Sequence, residues 1–218
     1  MQAIILAAGR GTRMGDLTRD TPKPLLSYRG KSLLHHKLDA LPREIAEVII
    51  VVGYLGDAIR AALGDSHAGR PIRYVEQKEL LGTGHAIWSL KGLLTGRFMV
   101  LMGDDIYDKD DLARLAERDH ALLAYRNETP RAGGKFILNG DGTLSDIVED
   151  ADGSMDSPLV YTGACVMSPK IFGYELAKIP GRNEYGLPQT IVVMAKDVPV
   201  DVFEAKSWIQ ITSPEDLK

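Results

Sequence analysis

Short apolar runs alternate with amphipathic stretches along this chain, the pattern of buried strands separated by helices. The runs at 3–6, 47–52 and 98–102 are almost continuously apolar and read as buried strands. Residues 72–76 and 121–125 read as two more. Helices are predicted over 32–41, 55–63, 84–94 and 111–117. In the first of these Leu33, Leu34, Leu38 and Leu41 share one face. The turn Gly82-Thr83-Gly84 opens the third. From Gly133 the texture changes. Strands are predicted over 135–138, 144–148 and 160–167, with Asn139-Gly140-Asp141-Gly142 as a hairpin turn. Helices over 169–179 and 187–195 follow, then short strands over 200–204 and 208–211. No hydrophobic shift marks a linker and no internal repeat is present. The pattern predicts one α/β domain, a mostly parallel sheet covered by helices.

The first predicted strand runs into Leu6-Ala7-Ala8-Gly9-Arg10-Gly11-Thr12-Arg13-Met14, followed by Thr21-Pro22-Lys23-Pro24-Leu25. Glycines let backbone N–H groups approach phosphate oxygens closely, and Arg13 and Lys23 add charge, an arrangement suited to a triphosphate. The familiar nucleotide loops do not fit. A dinucleotide fingerprint needs a third glycine where Met14 stands, and no window matches a Walker A loop. A tight strand-to-helix turn would explain Gly9 and Gly11. It would not explain Arg13 or a lysine between two prolines.

Composition narrows the picture. Net charge over the 218 residues is −4, which argues against a nucleic-acid-binding surface. The lone cysteine, Cys165, allows no internal disulfide and suits a reducing cytoplasm. No segment approaches the ~20 apolar residues that a membrane span needs. The run at 3–8 ends in Gly-Arg-Gly, unlike a signal-peptide cleavage site.

The residues Leu6–Met14 and Pro22-Lys23-Pro24-Leu25 resemble the signature of the sugar-1-phosphate nucleotidylyltransferases. That resemblance extends, more weakly, through the second half. It implies a Rossmann-like three-layer α/β sandwich with a mixed, mostly parallel central sheet. It implies a single nucleotidyltransferase domain over 1–218, with 1–130 holding an NTP and 131–218 holding a sugar phosphate. The implied reaction joins an NTP, UTP before dTTP, to a sugar 1-phosphate and releases pyrophosphate, with Mg2+ as cofactor. Leu6, Ala7, Ala8, Gly9, Gly11, Thr12 and Arg13 would surround the phosphates. Gln77, Gly82 and Thr83, in a segment similar to the N-acetylglucosamine-1-phosphate uridylyltransferases, would meet a pyrimidine edge. Arg13, Lys23 and Asp104 would carry catalysis. His85, in the same segment, reads as structural.

Gly103-Asp104-Asp105 follows a buried strand, where α/β folds bind ligands. The resemblance makes Asp104 a metal ligand. Asp105 reads as a helix cap or a substrate contact. Gly134, Glu149, Tyr161 and Thr162 would meet the sugar. Three positions depart from the family pattern. Tyr161 replaces an asparagine. Asp150 replaces a lysine, leaving Lys135 as a substitute cation. Gln210, in Trp208-Ile209-Gln210-Ile211-Thr212, replaces the second metal aspartate. These departures keep a non-catalytic regulatory subunit in view. The short chain and Val52-Gly53-Tyr54-Leu55 keep a choline-phosphate-type cytidylyltransferase in view. A dinucleotide-dependent oxidoreductase is disfavoured by the loop register.

Overall fold

The computed structural model describes residues 1–127, 133–150, 153–155 and 157–218. Its strands, in chain order, are β1 Gln2–Ala7, β2 Ser27–Tyr28, β3 Lys31–Ser32, β4 Glu47–Val52, β5 Ser66–His67, β6 Arg70–Glu76 and β7 Phe98–Met102. They continue as β8 Asp105–Tyr107, β9 Ala121–Arg126, β10 Gly133–Leu138, β11 Leu144–Asp150, β12 Leu159–Met167, β13 Asp201–Glu204 and β14 Trp208–Gln210. The α-helices are α1 Leu33–Ala40, α2 Gly56–Leu63, α3 Gly82–Trp88, α4 Lys109–Ala116 and α5 Leu187–Ala195.

Ten strands form one sheet. Its main path runs β11-β10-β12-β7-β1-β4-β6-β5, with β9 joining β12 to β13. β7, β1, β4 and β6 are mutually parallel. β12 runs antiparallel to β7, β9 and β10, so the sheet is mixed. Alternate residues of the central strands feed opposite layers, as a period of two requires. Ala3, Ile5, Val48 and Ile50 pack with Leu34 and Leu38 of α1, Ile59 of α2 and Leu112 of α4. Ile4, Ile49 and Val100 pack with Ile87 of α3 and Ile191 of α5. The result is the expected three-layer α/β sandwich. No helix among the described residues is long and apolar enough to cross a membrane.

The apolar runs became strands with ends within a few residues of those expected, and the 139–142 hairpin turn links β10 to β11. Three expectations fail for local reasons. Residues 169–179 do not form one helix. Only Pro169–Gly173 makes a 3-10 turn. Beyond it the backbone bonds outward: Ala177 N–H donates to Thr190 Oγ1, and Ile179 N–H to the Glu184 carbonyl. The helix expected over 84–94 starts at Gly82 and stops at Trp88, giving way to tight turns. Asp105 caps nothing. It begins β8, while Asp108 caps α4 by accepting from the N–H groups of Asp110 and Asp111.

The carboxyl ends of β1 and β7 lie against each other. Gly103 N–H donates to the Leu6 carbonyl at 2.9 Å, and a Cβ on Gly103 would stand 2.5 Å from that oxygen. The obstacle is backbone, so it cannot swing aside. Gly103→Ala is expected to cost about 1–3 kcal/mol in urea unfolding, as overpacking does. Gly92→Ala, whose Cβ meets open space, serves as the control. Equal midpoints for the two variants would contradict this packing.

Candidate active site

A cleft of about 600 Å³ opens at the carboxyl ends of the parallel strands. This is where open α/β sheets place ligands. Its first wall is the glycine loop after β1. Gly11 holds φ +63°, and a Cβ there would meet the Lys23 side chain at 2.9 Å. The glycine therefore lets the lysine stem pass under the loop. The Gly11 carbonyl accepts from Met14 N–H and Thr18 Oγ1, which fixes the turn. Met14 anchors it below, packed with Leu26, Tyr28, Leu33 and Ile211. Thr12 and Arg13 stand exposed on the cleft side.

Lys23 is only 5% exposed although it carries a charge. Pro22 and Pro24 stiffen its short 3-10 turn. Its Nζ donates to Asp104 Oδ2 at 2.5 Å and to the Ile211 carbonyl at 2.5 Å. Both are short, charge-assisted contacts. The Asp104 side chain remains 29% exposed. Next to it, β8 and β14 form a separate two-stranded ribbon in which Gln210 lies opposite Asp105. Asp105 Oδ2 accepts from Trp208 Nε1 at 3.2 Å. Burial, and then the Asp104 charge, pushes the Asp105 carboxyl up, against the pull of the buried Lys37 ammonium.

At the opposite end, Gln77 is 8% exposed and its Nε2 donates to the Gly82 carbonyl at 3.2 Å. Gly82 holds φ +95°, and a Cβ there would stand 2.4 Å from the Tyr185 carbonyl. Residues 185–187 are stitched to this turn: Tyr185 N–H to the Leu81 carbonyl, Gly84 N–H to the Tyr185 carbonyl, and Leu187 N–H to Thr83 Oγ1. His85 does not line the cleft.

The third side is built on β11 and β12. Glu149 Oε1 accepts from Gln189 Nε2 at 3.3 Å. Tyr161 sets its ring edge-on against Phe136, and burial holds its phenol well above the ordinary value. Thr162 lines the cleft, but its hydroxyl donates to the Leu123 carbonyl at 2.8 Å. Cys165 is fully buried and its thiol is pushed up to about 12 by that burial, so it offers no nucleophile.

Seventeen of the eighteen residues expected at the site line this one cleft; Gly134 alone does not. Gly134 stands just behind, pairing with Glu149 across β10 and β11. Lys135 is a correction. Side chains alternate along a strand, so it points away from Gly134. It is 1% exposed, and its Nζ donates to the Ser157 carbonyl. Asp150 also turns away, accepting from Gly153, Ser154 and Met155 N–H groups. Among the described residues, the cations on the cleft wall are Arg13, Lys23 and Arg182. Arg182 lies past the helix expected over 169–179, just after the Pro180-Gly181 turn signal, in a stretch that carries no periodic or motif signal. Ile179, Glu184 and Gln189 also line the cleft, and no motif in the sequence singles them out.

The family model for nucleotidyl transferases matches residues 2–203. The chain belongs to the nucleotidyl transferase family. The UTP–glucose-1-phosphate uridylyltransferase AglF of Haloferax volcanii is 32% identical, covering 99% of this chain and 93% of its own length. The bifunctional protein GlmU of Methanococcus maripaludis is 28% identical over 100% of this chain, which spans 53% of that relative. In fold, a Bacillus anthracis structure assigned as a glucose-1-phosphate thymidylyltransferase, in complex with sucrose, superposes with a TM-score of 0.87 at 23% identity. It covers 100% of this chain and 92% of that one. HddC from Yersinia pseudotuberculosis gives 0.74 at 23% identity, over 99% and 95% of the two chains.

No group of three or more His, Cys, Asp or Glu among the described residues is placed to hold a metal by itself. The nucleotidyl transferase cleft offers instead one partly exposed carboxylate, Asp104, and the amide of Gln210. That sparse oxygen set fits Mg2+, which takes one or two protein ligands and completes its shell with phosphates and water. The stitching at Gly82 is directly testable. Gly82→Ala is expected to weaken nucleotide binding at least tenfold in calorimetry, because its Cβ displaces the Tyr185 backbone. Gly96→Ala, open to solvent, should bind as wild type does. Equal affinities would remove this turn from the binding wall.

Proposed function

We propose that this sugar-1-phosphate nucleotidylyltransferase joins UTP to a sugar 1-phosphate, with dTTP as the poorer nucleotide. The observation that carries the reading is the cleft's polarity. A buried amide at Gln77 stands at one end, a doubly held ammonium at Lys23 in another wall, and Glu149 on the third side. With Gln77 Nε2 spending one proton on Gly82, the amide keeps one N–H and its carbonyl oxygen for a ligand. An imide edge such as that of uracil offers the matching acceptor and donor. The likeness to AglF, which spans nearly both chains, supports UTP and glucose 1-phosphate as the first pair to test.

The loop N–H groups and Arg13 would take the β- and γ-phosphates. Lys23 would meet the α-phosphate and the incoming phosphate oxygen. Arg182 supplies the cation for the sugar phosphate that Lys135 does not provide. Asp104 and Gln210 would hold Mg2+, which supplies charge neutralisation between the phosphates. A sugar-phosphate oxygen attacks the α-phosphorus, the bond to the bridging oxygen breaks, and pyrophosphate leaves. The attacking oxygen is already anionic, so the protein contributes position and charge rather than a nucleophile. Residues 1–130 would hold the NTP and 131–218 the sugar phosphate. The boundary between these halves falls at residues outside those described. The halves interlock, since Ile211 of the second grips Lys23 of the first.

Pyrophosphate release with Mg2+ tests this reading, with UTP, dTTP, CTP and GTP crossed against glucose, N-acetylglucosamine and mannose 1-phosphates and choline phosphate. UTP with a sugar 1-phosphate is expected to give the highest kcat/KM, and EDTA to stop turnover. Highest turnover with CTP and choline phosphate would overturn the substrate assignment. Nucleotide binding without turnover on any pair would overturn the activity.

A further inference from the structure

Lys37 on α1 is only 1% exposed, beside Asp104 and Asp105 of the cleft, and among the described residues its Nζ donates to the Leu33 carbonyl at 3.1 Å and to no other acceptor. Lysine is almost never buried unless something balances its charge. The charges facing it are those of Asp104, Asp105 and Lys23. Burial lowers its proton affinity, and the two carboxylates oppose that loss. Two acidic and two basic side chains thus meet beneath the cleft, and the floor is neutral overall before any substrate binds. An aspartate at position 210 would face Asp105 in register and add a third carboxylate. This chain has Gln210 there.

A mechanical path runs from the same cluster to the catalytic lysine. β14 is three residues long and hydrogen-bonds as a strand only with β8, so the main sheet holds it through side-chain packing and not through its backbone. Its start is held by Trp208, buried against Tyr125, with Nε1 bonded to Asp105. The residue after its end is Ile211, whose carbonyl grips Lys23 Nζ. The Ile211 side chain is itself packed with Met14 and Leu33, so Trp208 at one end of the ribbon and that packing at the other together set where the carbonyl points.

We propose that Lys37 and Asp105 are positioning residues: the buried ammonium balances the paired carboxylates, and Asp105 holds Trp208 so that the Ile211 carbonyl fixes Lys23 for transfer. This rests on the activity proposed above. It also reassigns Asp105 from substrate contact to support of the strand that carries Gln210.

Three variants test it. Trp208→Phe keeps a ring but removes the N–H. Lys37→Met keeps the length but removes the charge. Lys37→Met with Asp105→Asn removes both charges while leaving an oxygen for Trp208. The two single variants are expected to lower kcat at least tenfold with KM for UTP changed less than twofold. The double variant should recover most of the kcat lost in Lys37→Met, a rescue that a merely structural lysine would not show. Wild-type kcat in a folded Trp208→Phe protein overturns the proposal, as does a double variant no better than Lys37→Met. A crystal structure of Trp208→Phe reads the same link without turnover. The Lys23–Ile211 contact should lengthen beyond hydrogen-bonding distance, and an unmoved contact overturns the proposal. Inactivity of the wild type on every substrate pair would sink the activity reading alone, since the crystallographic test would still stand.

Discussion

The cleft depends on one interaction, the grip on the Lys23 ammonium. A lysine with little exposure is costly unless its protons are taken up. Here one acceptor comes from the end of β7, through Asp104, and one from the chain just past β14, through Ile211. The two acceptors lie 81 and 188 positions from the lysine in sequence. The interaction therefore closes the fold: it ties the first loop to the centre and to the last strand. Gly11 makes room for the stem, the flanking prolines stiffen the turn, and Gly103 lets β1 and β7 end side by side. A phosphate entering the cleft meets a charge whose place is already set. Fixed charge of this kind is the form of stabilisation that phosphoryl chemistry rewards most.

Departures from the family pattern make sense around that centre. Gln210 sits beside a floor that two lysines and two aspartates already balance, so a neutral donor adds no further negative charge. Asp150 accepts from the N–H groups of its own loop, and Arg182 adds a positive charge to the cleft wall. Tyr161 fills the asparagine position with a ring braced on Phe136, giving the cleft wall that Glu149 also lines an aromatic surface.

Much of this was legible from residues alone. Continuous apolar runs such as 47–52 and 98–102 can only be strands buried on both faces, and both were placed with the right ends. The loop at 6–13 and the lysine between prolines carry their chemistry in their composition. What escaped detection depends on partners distant in sequence. β8 is three residues long, too short for any period, and exists because it pairs with β14, the strand expected at the end of the chain. Residues 174–179 are expected from the sequence to continue a helix from Pro169, yet Ala177 N–H finds its partner on α5 and Ile179 N–H on the Glu184 carbonyl beyond the Pro180-Gly181 turn. Lys37 falls on the same helical face as Leu33, Leu34, Leu38 and Leu41, so the period alone turns it inward; the acids it meets there, Asp104 and Asp105, come from a segment nearly seventy residues on and only the fold brings them together.

The most direct test is the rate of pyrophosphate release by Lys23→Ala with saturating UTP, sugar 1-phosphate and Mg2+. A preorganised charge at the reacting phosphorus predicts a fall in kcat on the order of 10²–10³, with UTP binding largely kept. A folded Lys23→Ala enzyme that turns over at close to the wild-type rate would contradict the account.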